Sequence, residues 1–209
     1  MTNSIIKITP NFECFSITWI ITNKCNYDCM YCPPNLHAGD RTYSLSKLQS
    51  YWIDIFNKTR NKNLKYKICF SGGEVTTNKD FITFVKWLRE QYNEYIYQIV
   101  LTTNGSASLS YYKKLFTIVD SISFSFHSEH ADEKLFYNKI IKLRKTISPM
   151  SSKNSMHVNI MDEYWNTDRI PLYTDLLDKY KISYSVNEIQ YNYGTRTFPI
   201  LKGKINLEI

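Results

Sequence analysis

Length, composition and charge exclude several classes of protein. The 209 residues include 43% hydrophobic and 15% aromatic side chains, which excludes an intrinsically disordered chain and predicts one folded domain over residues 1–209. The net charge of +7 is compatible with an anionic substrate or nucleic acid. The lysines at 58, 62, 65 and 67, however, alternate with asparagines and favour a solvated face. No apolar stretch has the length of a signal-peptide core or a membrane span, so we expect a cytoplasmic protein with no membrane partner.

Strand-like and helix-like segments alternate along most of the chain. Enrichment in β-branched and aromatic residues predicts strands at 15–21, 66–70, 96–101, 121–126, 156–161 and 182–189. Apolar residues at helical spacing predict helices that begin after Ser44, at Asn78, after Ser108, near Glu133 and at Ile170. The helix from Glu133 is predicted to turn Leu135, Phe136, Ile140 and Leu143 inward.

Strands joined by crossover helices pair in parallel. The alternation therefore predicts an α/β fold with a core at about 15–189. The stretch at 190–209 is predicted to be an irregular C-terminal tail.

The five cysteines are unevenly distributed. Cys25, Cys29 and Cys32 form a C-x3-C-x2-C run after the first predicted strand, whereas Cys14 and Cys69 are isolated and are interpreted as buried free thiols. Three thiolates from one loop can bind one inorganic centre, but closed zinc and iron–sulfur sites usually have four protein ligands. Two interpretations follow. In the first, His37 is the fourth ligand of a structural zinc site. In the second, the three cysteines hold a [4Fe–4S] cluster with one iron open to another ligand.

The other notable motifs fall where predicted strands end. Ser71-Gly72-Gly73-Glu74 ends the second strand, Thr103 and Asn104 end the third, and His127 follows the fourth. Ligands of parallel α/β folds bind at the carboxyl ends of the strands. We therefore expect these motifs and the cysteines to meet at one edge of the sheet.

The cysteine run, with Tyr31 at the aromatic position before Cys32, and the following Ser71-Gly72-Gly73-Glu74 resemble the radical S-adenosylmethionine (radical SAM) superfamily. The resemblance extends from about Phe15 to Ile189. It implies a partial (β/α)6 barrel, open on one side. It also implies that Cys25, Cys29 and Cys32 bind three irons of a [4Fe–4S] cluster whose fourth iron binds S-adenosylmethionine. The implied activity is reductive cleavage of S-adenosylmethionine to a 5′-deoxyadenosyl radical, which abstracts hydrogen from a substrate.

The resemblance implies roles for further residues. The Ser71-Gly72-Gly73-Glu74 segment would pass close to the methionine moiety, with Glu74 ordering that end of the barrel or the bound amine. Tyr31 would lie near the adenine. Thr103, Asn104 and Ser125 occupy positions of polar groups near the ribose or the methionine carboxylate, although turn chemistry and strand polarity explain them equally well.

Two further site residues are suggested by their positions in or directly after a predicted strand. Asn159 alternates with Val158 and Ile160, so it points away from them and is a candidate cofactor contact inside the barrel. His127 is a candidate catalytic residue that positions substrate or transfers a proton, and a plain loop histidine is the alternative.

The sequence does not identify the substrate. Many peptide-modifying members carry an additional cysteine-rich domain, and only Cys14 and Cys69 remain here for an auxiliary cluster. A small molecule, nucleotide, sugar or peptide is expected as substrate, with flavodoxin or ferredoxin as electron donor. The alternatives are a non-catalytic iron–sulfur or zinc-binding module and an RNA-modifying member, although nucleic acid is not the expected partner.

Overall fold

Parallel strands alternating with helices build the fold, as described by a computed structural model. The described residues are 5–10, 14–33, 37–60, 64–147, 155–163 and 165–189; the predicted tail at 190–209 lies outside them. The strands are β1 (Ile5–Pro10), β2 (Cys14–Ile20), β3 (Thr22–Lys24), β4 (Ala38–Thr42), β5 (Lys65–Ser71), β6 (Ile96–Thr103), β7 (Ser121–Phe126), β8 (Ser155–Asp162) and β9 (Ser183–Glu188). The α-helices are α1 (Leu45–Thr59), α2 (Phe81–Tyr92), α3 (Leu109–Leu115), α4 (Glu133–Ile147) and α5 (Ile170–Lys179).

One sheet carries the architecture. Its strand order is β1-β2-β5-β6-β7-β8-β9, in which β1 pairs antiparallel to β2 and the six strands from β2 onward are parallel. Six parallel strands with intervening helices form the predicted partial (β/α)6 barrel, which is thereby confirmed. β1 and the separate antiparallel hairpin formed by β3 and β4 were not predicted from the sequence.

The two faces of the sheet differ because side chains alternate along each strand. In β2, Ile17 and Trp19 are fully buried on the helix-facing side, and Trp19 lies edge-on to Phe84 of α2 with ring centroids 5.5 Å apart. In β8, Val158 is fully buried, whereas Asn159 beside it is partly exposed on the opposite, inner face. The apolar core thus lies between the strands and the helices, and polar side chains line the inner face.

Two predicted helix starts are confirmed at the atomic level. The Ser44 side chain accepts a hydrogen bond from Lys47 N, and the Ser108 side chain accepts one from Tyr111 N, as N-capping residues do. The helix predicted from Asn78 begins instead at Phe81. The Asn78 side chain is used outside the helix, where it donates to Tyr43 O at 3.0 Å and accepts from Asp80 N at 2.9 Å.

Two burial predictions were wrong. Leu135 is 68% exposed, because it lies beside the α4 face that buries Phe136 and Ile140. Cys69 is only partly buried, because it faces the inner side of the sheet between the fully buried Ile68 and Phe70. Cys14, in contrast, is buried as predicted.

Of the three described lysines among 58, 62, 65 and 67, two agree with the solvated-face interpretation, whereas Lys67 is only partly exposed on the same face of β5 as Cys69. Lys58 is exposed and pairs with Asp54 one helical turn earlier, at 2.8 Å, and Lys65 is also exposed. Across the described ranges, no helix combines the length and apolar character needed to cross a membrane.

Candidate active site

A single cavity of about 520 Å³ brings most of the predicted site residues together. Its volume is typical of small-molecule sites. The sequence-predicted residues that line it are Cys25, Cys29, Tyr31, Cys32, Ser71, Gly72, Gly73, Thr103, Asn104, Ser125 and His127. Glu74 and Asn159 are not among the described residues lining this cavity. The cysteine loop, residues 25–32, therefore faces the carboxyl ends of β5, β6 and β7, as the strand-end argument predicted.

Glu74 lies behind the cavity wall and connects two strand ends. It is fully buried. Its Oε1 accepts hydrogen bonds from Thr76 N at 2.9 Å, Thr76 Oγ1 at 2.6 Å and Thr103 Oγ1 at 2.8 Å. Its Oε2 accepts one from Asn104 N at 2.7 Å. Because protein donors engage both oxygens, the geometry supports the predicted ordering role of Glu74.

The two glycines allow the segment after β5 to lie directly on β3. Gly73 N donates to Thr22 O at 2.9 Å, and Glu74 N donates to Lys24 O at 2.8 Å. A Cβ at Gly72, whose φ is +150°, would lie 2.2 Å from Thr22 O, and one at Gly73 would lie 2.4 Å from Lys24 O. The glycines are thus required by a backbone contact within the protein, in addition to the predicted approach to the cofactor.

Gly73→Ala is accordingly expected to lower the free energy of unfolding by about 2–4 kcal/mol, because its new methyl group must displace the backbone of β3. It should also weaken binding of S-adenosylmethionine. Denaturant unfolding and equilibrium binding measure the two effects. Ser71→Ala, which adds no atom to the same segment, is the matched control for stability. Wild-type stability in Gly73→Ala would contradict the close contact with β3.

Asn104 connects the end of β6 to the cysteine loop. Its Nδ2 donates to Asn26 Oδ1 at 3.0 Å and lies 3.9 Å from Cys25 Sγ, while its Oδ1 accepts from Ser106 N at 3.0 Å. The side chain therefore performs the turn chemistry considered in the sequence analysis and also contacts the loop of the first cysteine. An amide donor directed at a sulfur is a common way to stabilise a thiolate ligand.

Tyr31 and His127 form one hydrogen-bonded, stacked pair. Tyr31 Oη is hydrogen-bonded to His127 Nδ1, and the rings are stacked with centroids 5.8 Å apart. Burial, reinforced by Cys29 and Glu163, raises the pKa of Tyr31 far above its usual value. Burial and then the nearby His130 lower the pKa of His127 to about 4. Both side chains are therefore neutral at pH 7, and the pair is better suited to positioning than to storing a charge.

His37, the candidate fourth ligand of a zinc site, is buried and engaged elsewhere. Its Nε2 is hydrogen-bonded to Asp28 Oδ1 at 2.7 Å and its Nδ1 to Pro33 O at 3.1 Å. Both ring nitrogens are thus occupied by oxygen acceptors next to the cysteine loop. This arrangement does not support the zinc interpretation that used His37.

Two acidic residues near the cysteines were missed by the sequence analysis. Glu129 follows β7 and Glu163 follows β8, so both lie at carboxyl ends of strands. A Glu129 carboxylate oxygen, Cys29 Sγ and a ring nitrogen of His130 all lie within 4.8 Å of one another. Their position after predicted strands was a signal that could have identified them.

The residues present fit a three-cysteine cluster. Burial raises the pKa of Cys25, with Glu74 adding to the effect, and burial also raises the pKa of Cys29, with Glu129 adding to it. As free thiols, Cys25 and Cys29 therefore keep their protons at neutral pH. Metal binding would release these protons and leave thiolate ligands. Three soft sulfur donors face one cavity, beside a glycine segment where a Cβ would collide with the chain.

A partial (β/α)6 barrel with three cysteines and a double-glycine strand end around one cavity defines the radical SAM class of proteins. The profile of the family described as "Radical SAM superfamily" matches residues 19–150, more than half of the chain, and the chain belongs to this family. Its members use a [4Fe–4S] cluster and S-adenosylmethionine, which confirms the predicted cofactors.

Curated relatives include enzymes named for reactions of nucleotides. The chain is 27% identical over 154 residues to an S-adenosylmethionine-dependent nucleotide dehydratase of Selenomonas ruminantium, covering 65% of this chain and 53% of that protein. It is 37% identical over 98 residues to a probable GTP 3′,8-cyclase of Methanococcus maripaludis, covering 46% of this chain and 30% of that protein. It is 36% identical over 85 residues to the GTP 3′,8-cyclase of Pasteurella multocida, covering 41% and 24%. The chain thus spans about half, or less, of the length of these relatives.

Proposed function

We propose that this protein is a radical SAM enzyme that acts on a nucleotide or nucleoside. The observation that carries the proposal is the convergence of Cys25, Cys29 and Cys32 with Gly72 and Gly73 on one cavity. When bound there, the cluster and S-adenosylmethionine would supply a 5′-deoxyadenosyl radical, which abstracts a hydrogen atom from the substrate. We expect the overall reaction to be either an oxidation–reduction or a group transfer.

The protein's own residues hold and shield the reactants. The three cysteine thiolates would bind three irons, and Asn104 would donate a hydrogen bond near the Cys25 sulfur. Gly72 and Gly73 would let the methionine moiety approach the strand end. Tyr31, held by His127, would close the cavity beside Cys29 and exclude water from it.

The polar side chains near and within the cavity favour a polar substrate. Asn159 Nδ2 donates to Ser123 Oγ at 2.8 Å, and Ser185 Oγ donates to Asn159 Oδ1 at 3.0 Å. His157 is hydrogen-bonded to Ser183 Oγ at 2.8 Å and to Ser185 Oγ at 3.2 Å. These uncharged groups bond to one another across three neighbouring strands and are not among the described residues lining the cavity. The uncharged polar residues that do line it include Ser71, Thr102 and Ser125, which are suited to the hydroxyl groups of a sugar and the edge of a base.

The charge of the residues that line the cavity indicates which part of a nucleotide they would bind. Among the described residues that line the cavity, none is a lysine or arginine. We therefore expect the described part of the cavity to recognise the base and ribose rather than the phosphates. The nucleotide-directed names of the relatives favour this substrate class over a peptide. Cytoplasmic location and flavodoxin or ferredoxin as electron donor stay predictions, as does the RNA-modifying alternative.

The test is anaerobic turnover with labelled substrates. The reconstituted protein is mixed with dithionite, S-adenosylmethionine and one ribose-deuterated nucleotide or nucleoside at a time, and 5′-deoxyadenosine is quantified by mass. A nucleotide substrate should raise 5′-deoxyadenosine formation above the substrate-free rate and transfer deuterium into it. If no nucleotide or nucleoside does either, although substrate-free cleavage occurs, the substrate class is wrong and the radical SAM activity stands.

A further inference from the structure

The turn that follows β7, residues 127–130, packs against the cysteine loop at three separate points. His127 pairs with Tyr31, as described above. Glu129 Oε2 accepts a hydrogen bond from Met30 N at 3.0 Å. The His130 ring stacks on Tyr27, with centroids 5.2 Å apart and an interplanar angle of 23°. Residues 127–130, called the β7 turn below, therefore contact the loop on both sides of Cys29.

Glu129 contacts the loop at the residue that follows Cys29. Met30, whose N–H it binds, stands between Cys29 and Cys32, so this hydrogen bond fixes the backbone between two candidate ligands. The Glu129 side chain is only 9% exposed. One of its carboxylate oxygens and Cys29 Sγ lie within 4.8 Å of each other. A carboxylate in this position can act on the loop through its hydrogen bond and on the sulfur through its charge.

The β7 turn is itself held from behind by Glu163. Glu163 is fully buried and its Oε2 accepts hydrogen bonds from Glu129 N, at 3.1 Å, and from Ser128 Oγ. Trp165 Nε1 donates to Ser128 Oγ at 2.8 Å. The backbone of Glu129 is thus attached to the end of β8, so its side chain is aimed at the loop by a rigid support.

We propose that Glu129 is a positioning residue for the cluster, which anchors the backbone between Cys29 and Cys32 and lowers the reduction potential of the bound cluster. The inference rests on the proposed function. Cluster potentials depend on net charge, hydrogen bonding and exposure around the sulfurs. A negative charge close to one sulfur, in a site of low dielectric constant, disfavours the added electron of the reduced state.

Two substitutions separate the anchor from the charge. Glu129→Gln keeps an oxygen that can accept from Met30 N but removes the charge, whereas Glu129→Ala removes both. Glu90→Gln is the matched control, because Glu90 is an exposed residue in the last turn of α2, toward the opposite end of the strands. Circular dichroism verifies that each variant is folded before its cluster is studied.

The readouts are iron and sulfide content, release of iron to a chelator, and a redox titration followed by electron paramagnetic resonance without S-adenosylmethionine. Glu129→Gln should retain the wild-type iron content and titrate at a more positive potential. Glu129→Ala should lose iron to the chelator about 10- to 100-fold faster, the usual cost of removing a supporting residue of a metal site. Glu90→Gln should match the wild type in both.

The outcomes distinguish this inference from the function on which it rests. An unchanged potential in Glu129→Gln with an intact cluster would overturn the charge effect. Wild-type iron release in Glu129→Ala would overturn the anchor. A wild-type protein that assembles no [4Fe–4S] cluster under the same conditions would overturn the proposed function itself.

Discussion

Replacing Cys29 with alanine is expected to prevent stable cluster assembly and to reduce 5′-deoxyadenosine formation by about 100-fold or more. Cys29 is buried in the middle of the cysteine loop, and its side chain faces the cavity with those of Cys25 and Cys32. A three-cysteine site has no spare protein ligand, so the loss of one thiolate should exceed the 10- to 100-fold cost of a supporting residue. The measurement is anaerobic reconstitution followed by iron analysis and by quantification of 5′-deoxyadenosine.

Cys69→Ala is the matched control for this experiment. Cys69 is a free, partly buried thiol on the inner face of β5, and it is not one of the described residues lining the cavity. We expect Cys69→Ala to retain the cluster and the activity. Cluster-dependent activity that survives in Cys29→Ala, or disappears in Cys69→Ala, would contradict the assignment of the metal ligands.

Substituting Glu74 with glutamine is expected to lower the free energy of unfolding by about 2–4 kcal/mol. The carboxylate accepts four hydrogen bonds from Thr76, Thr103 and Asn104 in a fully buried position. A glutamine offers only one acceptor oxygen, and its NH2 group would face an N–H or O–H donor at the other end. At least one buried donor is then left without a partner, and the ends of β5 and β6 lose part of their connection.

Denaturant unfolding gives the change in stability, and the same samples give the rate of 5′-deoxyadenosine formation. Because Asn104 N binds Glu74 while the Asn104 side chain contacts the cysteine loop, we expect activity to fall together with stability. Glu90→Gln again serves as the exposed control and should change the unfolding free energy by less than about 0.5 kcal/mol. A Glu74→Gln variant as stable as the control would show that the buried carboxylate is not required to connect the strands.

The parallel strands could be predicted because their physical signal is local. Side chains such as Ile17 and Trp19 alternate with polar neighbours, and the burial of β2 and β8 follows this alternation. Ser44 and Ser108 were recognisable as helix caps because capping depends on a few adjacent residues.

The hairpin of β3 and β4 could not be predicted in the same way. Its strands are short and polar, Thr-Asn-Lys and Ala-Gly-Asp-Arg-Thr, and show no hydrophobic alternation. Their pairing is specified by partners distant in sequence. Thr22 Oγ1 donates to Arg41 O, and Arg41 N donates to Asn23 Oδ1. A pattern read along the chain cannot contain such contacts.

Within the candidate site, the sequence by itself determined the three cysteines and the double glycine, because their spacing is local. Their resemblance to the radical SAM superfamily implied the cofactors, since the spacing alone left a zinc site and a [4Fe–4S] cluster open. Only the tertiary structure decided what the remaining groups contact. It directs Glu74 to the strand ends, His127 to Tyr31 and Glu129 to Met30 N. The physical reason is that hydrogen bonds and electrostatic effects depend on distance in space. Folding brings Glu129 beside a loop that lies 99 residues away along the chain.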